Sequence, residues 1–336
     1  MSVTIPHNKI GDLEVSKLAL GTWQFGDTFF YKKNTPEVEA QIVKTAFDCG
    51  INFFDTAEGY GNGVSEKALG AALSKSGRTR EEYVLASKAV GDCLEPTKLR
   101  QTVQNTLDNL QTSYLDLMQI HWYNPSIKPS IYIPVLQELV DEGKIRAIGI
   151  SNFGVQQMTE TLDLGIPIVS NQLPYSLLNR CIEDDIVPFC HSHSMNVLAY
   201  SPLSQGLLTG KYTTTEQCPD GLSRSRYFNC KSSSMSRHGS EGNEPLLWDT
   251  LSKLKTMSQQ LNITLPQLSL SYVLSQGYVD NMIFGVSRPE QIISNIEAVN
   301  IKLSPESISQ ANSISEPMKV FLNGNPDLWN DKNRCL

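Results

Sequence analysis

Apolar residues along the chain follow two alternating patterns. Short runs rich in Val, Ile, Leu, Phe and Tyr occupy residues 18–21, 51–55, 83–88, 114–121, 145–151, 167–172, 196–201 and 282–286. Each run is brief and continuously apolar, the mark of a strand covered on both faces. Between the runs lie stretches with one apolar stripe at helical spacing, over residues 35–48, 96–110, 133–142, 155–162, 184–191, 246–261 and 289–299. In the first, Val38, Ile42, Val43, Ala46 and Phe47 share a face; in the second, Leu99, Val103, Leu107 and Leu110 do so behind a proline in the first turn.

Parallel strands need crossovers of this kind. Eight alternating units predict a closed (β/α)₈ TIM barrel, with an open doubly wound sheet as the alternative that pattern leaves. Residues 3–16 hold two short extended pieces around Gly11, expected as an N-terminal β-hairpin that closes the barrel bottom. Residues 213–244, after the seventh strand, are rich in Ser, Thr, Asn, Gly and Arg and poor in aliphatics. A long loop on the face where barrel active sites lie is expected to serve function. No linker or repeat interrupts residues 1–336, which read as a single domain.

Charge narrows the partners. Asp and Glu number 35 against 28 Lys and Arg, a net charge of −7, which argues against nucleic acid as the main partner. The seven cysteines form no Cys-x-x-Cys pair, and the start lacks a charged segment followed by an apolar one. Reduced thiols and a cytoplasmic location are expected. No apolar run approaches the ~18 residues of a membrane span.

Reactive side chains fall at strand ends. Asp55 ends the second run with Tyr60 just beyond, Lys88 the third, His121 the fourth, Ser151-Asn152 the fifth, Asn171-Gln172 the sixth and Tyr200-Ser201 the seventh. In a barrel the carboxyl ends of successive strands converge on one mouth. Singly, each residue has a structural reading as a cap, a solvated charge or a packed ring; jointly they point to chemistry. A free phenol has a pKa of about 10, and a neighbouring ammonium favours phenolate. Lys88 is therefore expected to lower the Tyr60 pKa, Asp55 to hold Lys88, and His121 to orient a carbonyl. No convincing metal-ligand set is present, so hydride has to come from a cofactor. His191 and His193 lack a carboxylate partner and read as surface residues. The glycines around Tyr60 mimic a dinucleotide-binding loop, but their spacing is wrong and the next strand ends in Lys88 rather than an acid.

Asp55-Thr-Ala-Glu-Gly-Tyr60-Gly, followed by Ser65-Glu66 and Leu69-Gly70, resembles the signature of the aldo-keto reductases. Leu18-Ala-Leu-Gly21-Thr22-Trp23, Lys88, His121, Gly149-Ile-Ser-Asn152-Phe153, Asn171-Gln172, Tyr200-Ser-Pro-Leu203 and Gly285-Val-Ser-Arg-Pro-Glu-Gln291 fall in register with it, from about residue 8 to 315. The resemblance implies NADP(H)-dependent reduction of small aldehydes or ketones, with Tyr60 as general acid and Asp55, Lys88 and His121 completing a tetrad. It implies NADP(H) lying across the mouth, lined by Gly21, Thr22, Trp23 and Asp55. Ser151, Asn152 and Gln172 would hold the nicotinamide carboxamide and Tyr200 would stack on its ring. Ser201, Pro202, Leu203, Gly206 and Lys211 would serve the pyrophosphate, and Gly285, Ser287, Arg288, Gln291 and Asn295 the adenosine end. Trp23, Tyr60, His121, Trp122 and Tyr123 would line the substrate pocket, with residues 213–244 and 321–336 around it and Trp329 folding back over the mouth.

Two departures stand out. Some family members carry Lys where Gly285 stands and Arg where Gln291 stands, so charge for a 2′-phosphate is expected from Arg288, Arg224 or Arg226. Gly206, Gly210-Lys211-Tyr212 and Gly285-Val-Ser287 resemble the branch that includes potassium-channel β subunits and many microbial reductases. That branch keeps a second reading open: an NADP(H)-binding regulatory subunit with slow turnover. A hydrolase using Asp55 and His121 is disfavoured by the Tyr–Lys pairing.

Overall fold

The computed structural model describes residues 4–26, 34–330 and 332–336. Strands β1 (His7–Ile10) and β2 (Leu13–Ser16) pair antiparallel about Gly11, whose φ of 55° is left-handed. A Cβ on Gly11 would also lie 2.9 Å from the Val169 side chain. The hairpin turns Ile10, Leu13 and Val15 inward, where they pack with Ala19, Phe53 and Leu117 of the barrel strands. It is the plug that the two extended pieces around Gly11 predict.

Eight parallel strands close the barrel. They are β3 (Leu18–Gly21), β4 (Phe53–Asp55), β5 (Val84–Ala89), β6 (Leu115–Ile120), β7 (Ile145–Ser151), β8 (Ser170–Pro174), β9 (Asn196–Tyr200) and β10 (Asn281–Gly285). Neighbours in sequence are neighbours in space, and β10 pairs with both β9 and β3. The alternation read from the sequence therefore gives the closed barrel and not the open sheet. Every strand residue from β4 to β6 is buried, as the continuous apolar runs require.

The outer layer holds α1 (Pro36–Asp48), α2 (Val64–Ser74), α3 (Pro96–Leu110), α4 (Pro129–Asp141), α5 (Val155–Leu162) and α6 (Ile186–Ser192). It continues with a single turn α7 (Asp220–Ser223), then α8 (Glu244–Gln260), α9 (Leu265–Ser275), α10 (Pro289–Ile296) and α11 (Pro305–Leu322). No apolar stripe announces α2, α9 or α11. In α9, consecutive residues from Leu268 to Val273 are all buried, so there is no exposed face to alternate with. In α2 the buried face includes Ser65 and Glu66. The Glu66 carboxylate accepts from Ser87 Oγ at 2.7 Å, Thr106 Oγ1 at 2.9 Å and Asn109 Nδ2 at 3.0 Å. The loop after β9 is pinned by buried Leu222, Tyr227 and Phe228 despite its polar composition. Among the described residues no helix is long and apolar enough to cross a membrane.

Gly70 lets α2 meet the end of α3. A Cβ there would lie 2.7 Å from Asn109 O and 2.8 Å from two Leu110 backbone atoms. In an exposed helix Gly→Ala stabilises by about 0.5–1 kcal/mol. Here the sign is expected to reverse: Gly70→Ala should destabilise by about 1–3 kcal/mol through overpacking against backbone. Urea denaturation of the two proteins measures it, and a gain in stability would refute the close approach.

Candidate active site

The centre of the site is a buried ion pair. Lys88, in β5, is fully buried and donates from Nζ to Asp55 Oδ1 at 2.5 Å and to Thr56 O at 2.8 Å. Asp55, the last residue of β4, takes two more donors on Oδ2: Gln119 Nε2 at 3.1 Å and Gln172 Nε2 at 2.9 Å. Side chains from β4, β5, β6 and β8 thus meet on one carboxylate. Burial pulls the Lys88 ammonium down, but Asp55 and Tyr60 more than restore it, and its pKa ends above the ordinary lysine range.

Tyr60 stands on the turn after β4. Lys88 Nζ lies 5.1 Å from its ring centroid. Trp23 stacks on one face at 5.8 Å, and His121 meets the ring edge-on at 5.5 Å. The structure corrects one expectation about this phenol. Burial pushes its pKa up, Lys88 pulls it down and Asp55 pushes it up again, with a net rise. Desolvation outweighs the ammonium, so Tyr60 holds its proton at neutral pH. The His121 imidazole is held well below its usual range by burial and by the charges of Lys88 and Arg334, which keeps it neutral.

The residues expected around a cofactor fall on the same rim. Asn152, with a left-handed φ of 62°, donates to His121 O and Ser151 Oγ, both at 3.0 Å, and accepts from Tyr200 OH at 2.9 Å. Ser151 Oγ donates to Gln172 O at 2.8 Å. Gln172 itself points inward: its amide nitrogen serves Asp55 and, at 3.2 Å, Gln119 Oε1. Ser201, Ser204 and Gln205, at φ 54°, 46° and 54°, wind the loop after β9 through left-handed conformations, and Gly206 follows at 106°. Such strain concentrates at functional loops. A Cβ on Gly206 would sit 3.6 Å from Lys211 Nζ, so the ammonium lies over this turn.

At the far end, Gln291 Oε1 accepts from the backbone of Ser287 at 2.8 Å and of Arg288 at 3.2 Å, closing the N-terminus of α10. Ser287 and Arg288 are exposed there, and Asn295 is buried behind them. The three candidate arginines are not brought together. Arg224 lies over the Trp329 ring at 4.4 Å and the Trp23 ring at 5.8 Å. Arg226 donates to the carbonyls of Asn325 at 3.2 Å and Asp327 at 3.1 Å. Trp329 lines a pocket with Tyr200 and Ser201, at the end of β9. Tyr123, by contrast, turns its hydroxyl to Glu160 at 2.6 Å and its ring to Phe153.

Tyr200, Ser201, Gln205, Tyr227 and Trp329 line a narrow pocket beside the turn after β9. Among the described residues, Gln205 Nε2 and Ser225 Oγ beside it, and His121 Nδ1, are enclosed without a hydrogen-bond partner. Buried polar groups are seldom left so, and a polar ligand at the strained turn would satisfy those beside it.

Sequence reasoning missed Gln119, Gln24 and Arg334. Gln119 precedes His121 by two, the period of a strand, and that spacing was the available signal. Gln24 Nε2 donates to Val286 O at 2.6 Å and Gly21 O at 3.2 Å, tying β3 to β10. A Cβ on Gly285 would lie 2.8 Å from Gln24 Oε1, so a side chain there would require Gln24 to shift.

A family model described as "Aldo/keto reductase family" matches residues 17–316. The chain is 30% identical to the NADH-specific methylglyoxal reductase of Escherichia coli, covering 92% of this chain and 97% of that one. It is also 30% identical to a putative voltage-gated potassium channel subunit beta of Schizosaccharomyces pombe, covering 90% of each. Among solved structures, a glycerol dehydrogenase from Gluconobacter oxydans superposes with a TM-score of 0.77 at 27% identity, over 97% of each chain.

Lys88→Met strands the Asp55 carboxylate in the barrel and is expected to cost about 3–5 kcal/mol. Asp55→Asn in the same chain should recover much of that loss; a double mutant no more stable than Lys88→Met would contradict the pairing. His121 predicts a pH effect. The folded imidazole resists protonation, whereas the unfolded one takes a proton near pH 6.5. The unfolded chain therefore binds more protons as pH falls below about 6.5, and stability drops there. Wild type should lose more thermal stability between about pH 7 and 5 than His121→Gln; parallel losses would count against a buried neutral imidazole.

Proposed function

The chain belongs to the aldo/keto reductase family, and from that premise we propose that it reduces an aldehyde or ketone to the alcohol, using NADP(H) and a proton from Tyr60. One observation carries the reading: a fully buried ammonium, Lys88, fixed by Asp55 and set 5.1 Å from the ring of a phenol that also borders His121. When bound, the dinucleotide supplies hydride to the carbonyl carbon. The residues supply the rest. Burial keeps Tyr60 protonated, so it can give its proton to the carbonyl oxygen as charge develops there. Lys88 stabilises the phenolate left behind, which regains its proton from solvent. Asp55, neutralised by Lys88, holds that ammonium without offsetting its effect on Tyr60 at full strength. Neutral His121 orients the carbonyl by a hydrogen bond.

For the cofactor, Lys211 and the strained turn of residues 201–206 would hold the pyrophosphate. Tyr200 would underlie the nicotinamide, beside Ser151 and Asn152. Arg288, exposed at the N-terminus of α10 beside Ser287, would meet a 2′-phosphate, since a helix N-terminus and a guanidinium fork both favour that anion. Arg224 and Arg226, turned to the indoles and to tail carbonyls, are not needed for this role. The E. coli relative is named for NADH, so the preference rests on Arg288.

The test follows NADPH and NADH oxidation with a panel of aldehydes. Tyr60→Phe is expected to lower kcat by about 10²–10⁴-fold while NADPH still binds, read by fluorescence titration. Arg288→Ala should weaken NADPH binding and leave NADH binding unchanged. Tight NADPH binding without turnover on any carbonyl would replace the reductase reading with that of a regulatory subunit.

A further inference from the structure

The chain is acidic overall, yet guanidinium groups gather at the barrel mouth. Contacts run in an arc: Arg224 over Trp23, Trp23 on Tyr60, Tyr60 against His121, and Arg334 over Trp122 at 3.8 Å. Arg334 comes from the tail. One edge of its fork pairs with Asp327, Nε at 2.5 Å and Nη2 at 3.1 Å. The Asp327 side chain is fully buried, and its Oδ1 also accepts Trp329 N at 2.9 Å. The Arg334 side chain is 38% exposed, and among the described residues its Nη1 has no hydrogen-bond partner. The far end of the fork is therefore open, while the near end and the indole fix its position. Its charge reaches the reacting centre, because it helps to keep His121 neutral.

Resting on the reductase reading above, we propose that Arg334 selects carbonyl compounds that carry a carboxylate, so that the preferred substrates are aldehyde acids or keto acids. With the carbonyl oxygen at Tyr60 and His121, the rest of the substrate runs along Trp122 and its carboxylate meets the open end of Arg334. A planar fork suits that anion. Being held in advance by Asp327 and Trp122, the side chain loses little further freedom on binding. Asp327 offsets the charge at the near end of the fork and leaves the outer end for the substrate.

The experiment compares kcat/KM for 4-carboxybenzaldehyde and its methyl ester with NADPH at low and high salt. The ester is the more electron-poor aldehyde, so intrinsic reactivity works against the acid. Wild type should nevertheless favour the acid by about tenfold or more, through KM, and less at high salt. Arg334→Gln should raise KM for the acid much more than for the ester; Arg334→Lys should retain part of the preference. Equal values in wild type, or equal losses on acid and ester in Arg334→Gln, overturn the selection and leave the reductase reading intact. If Arg334→Gln does not fold, the wild-type ratio and Arg334→Lys decide. Failure to reduce either aldehyde counts against the reductase reading instead. Calorimetric titration with 4-(hydroxymethyl)benzoate then reads the carboxylate contact without chemistry. Binding at least about tenfold weaker in the Arg334 variants supports the proposal, and unchanged binding overturns it.

Discussion

An ammonium sealed inside a barrel is tolerable only if its charge is answered at once. Lys88 has no exposed surface, and transfer of such a group from water costs several kcal/mol before any partner is counted. Asp55 and Thr56 O answer it, and Gln119 and Gln172 fill the lone pairs of Asp55 that Lys88 leaves. The cluster is thereby almost saturated, which is the condition under which buried polar networks specify a structure instead of weakening it. It also ties strand ends that are far apart in sequence. Gln172 reaches Asp55 across 117 residues, a bond that exists only once the barrel has closed.

The same charge sets both titratable neighbours. On Tyr60 it opposes burial, and burial wins in the protein alone. On His121 it acts with burial, so the imidazole is doubly disfavoured as a cation. Burial, opposed by this ammonium at Tyr60 and joined by it at His121, leaves a neutral phenol beside a neutral imidazole. The sequence argument had the sign of the Lys88 effect right and the net result wrong. Desolvation depends on what covers Tyr60, and Trp23 and His121 do so only after folding.

Strand ends were legible because they obey rules local in sequence. An apolar run of four to eight residues followed by Asp, Lys or His can be seen without knowing its neighbours. The hairpin was legible for a similar reason, since Gly11 separates two short extended pieces. What stayed hidden depends on tertiary placement. Helix α9 has no stripe because it is buried nearly all round. Gln172 carries a residue type suited to a carboxamide ligand, yet in the protein alone it faces Asp55. Arg224 and Arg226 lie in a stretch whose composition says only that it is a loop; their partners, Trp329 and the carbonyls of Asn325 and Asp327, are about a hundred residues away.

The tail is held in place independently of the buried ion pair. Gly154 precedes α5, and a Cβ there would lie 2.3 Å from Cys335 O, so this glycine admits the tail. Gln157 then holds it, donating from Nε2 to Arg334 O at 2.7 Å and from its backbone to Leu336 O at 3.0 Å. Asp327 fixes the Arg334 side chain from within the tail itself. None of these contacts involves Asp55, Lys88 or Tyr60. The reacting groups are set by strands whose ends are locked to one another, whereas the Arg334 guanidinium belongs to a tail held separately by Gln157, Asn179 and Arg226. Changes in that segment come at little cost to the buried ion pair, and such separation of loops from strand ends is how one barrel fold hosts many functions.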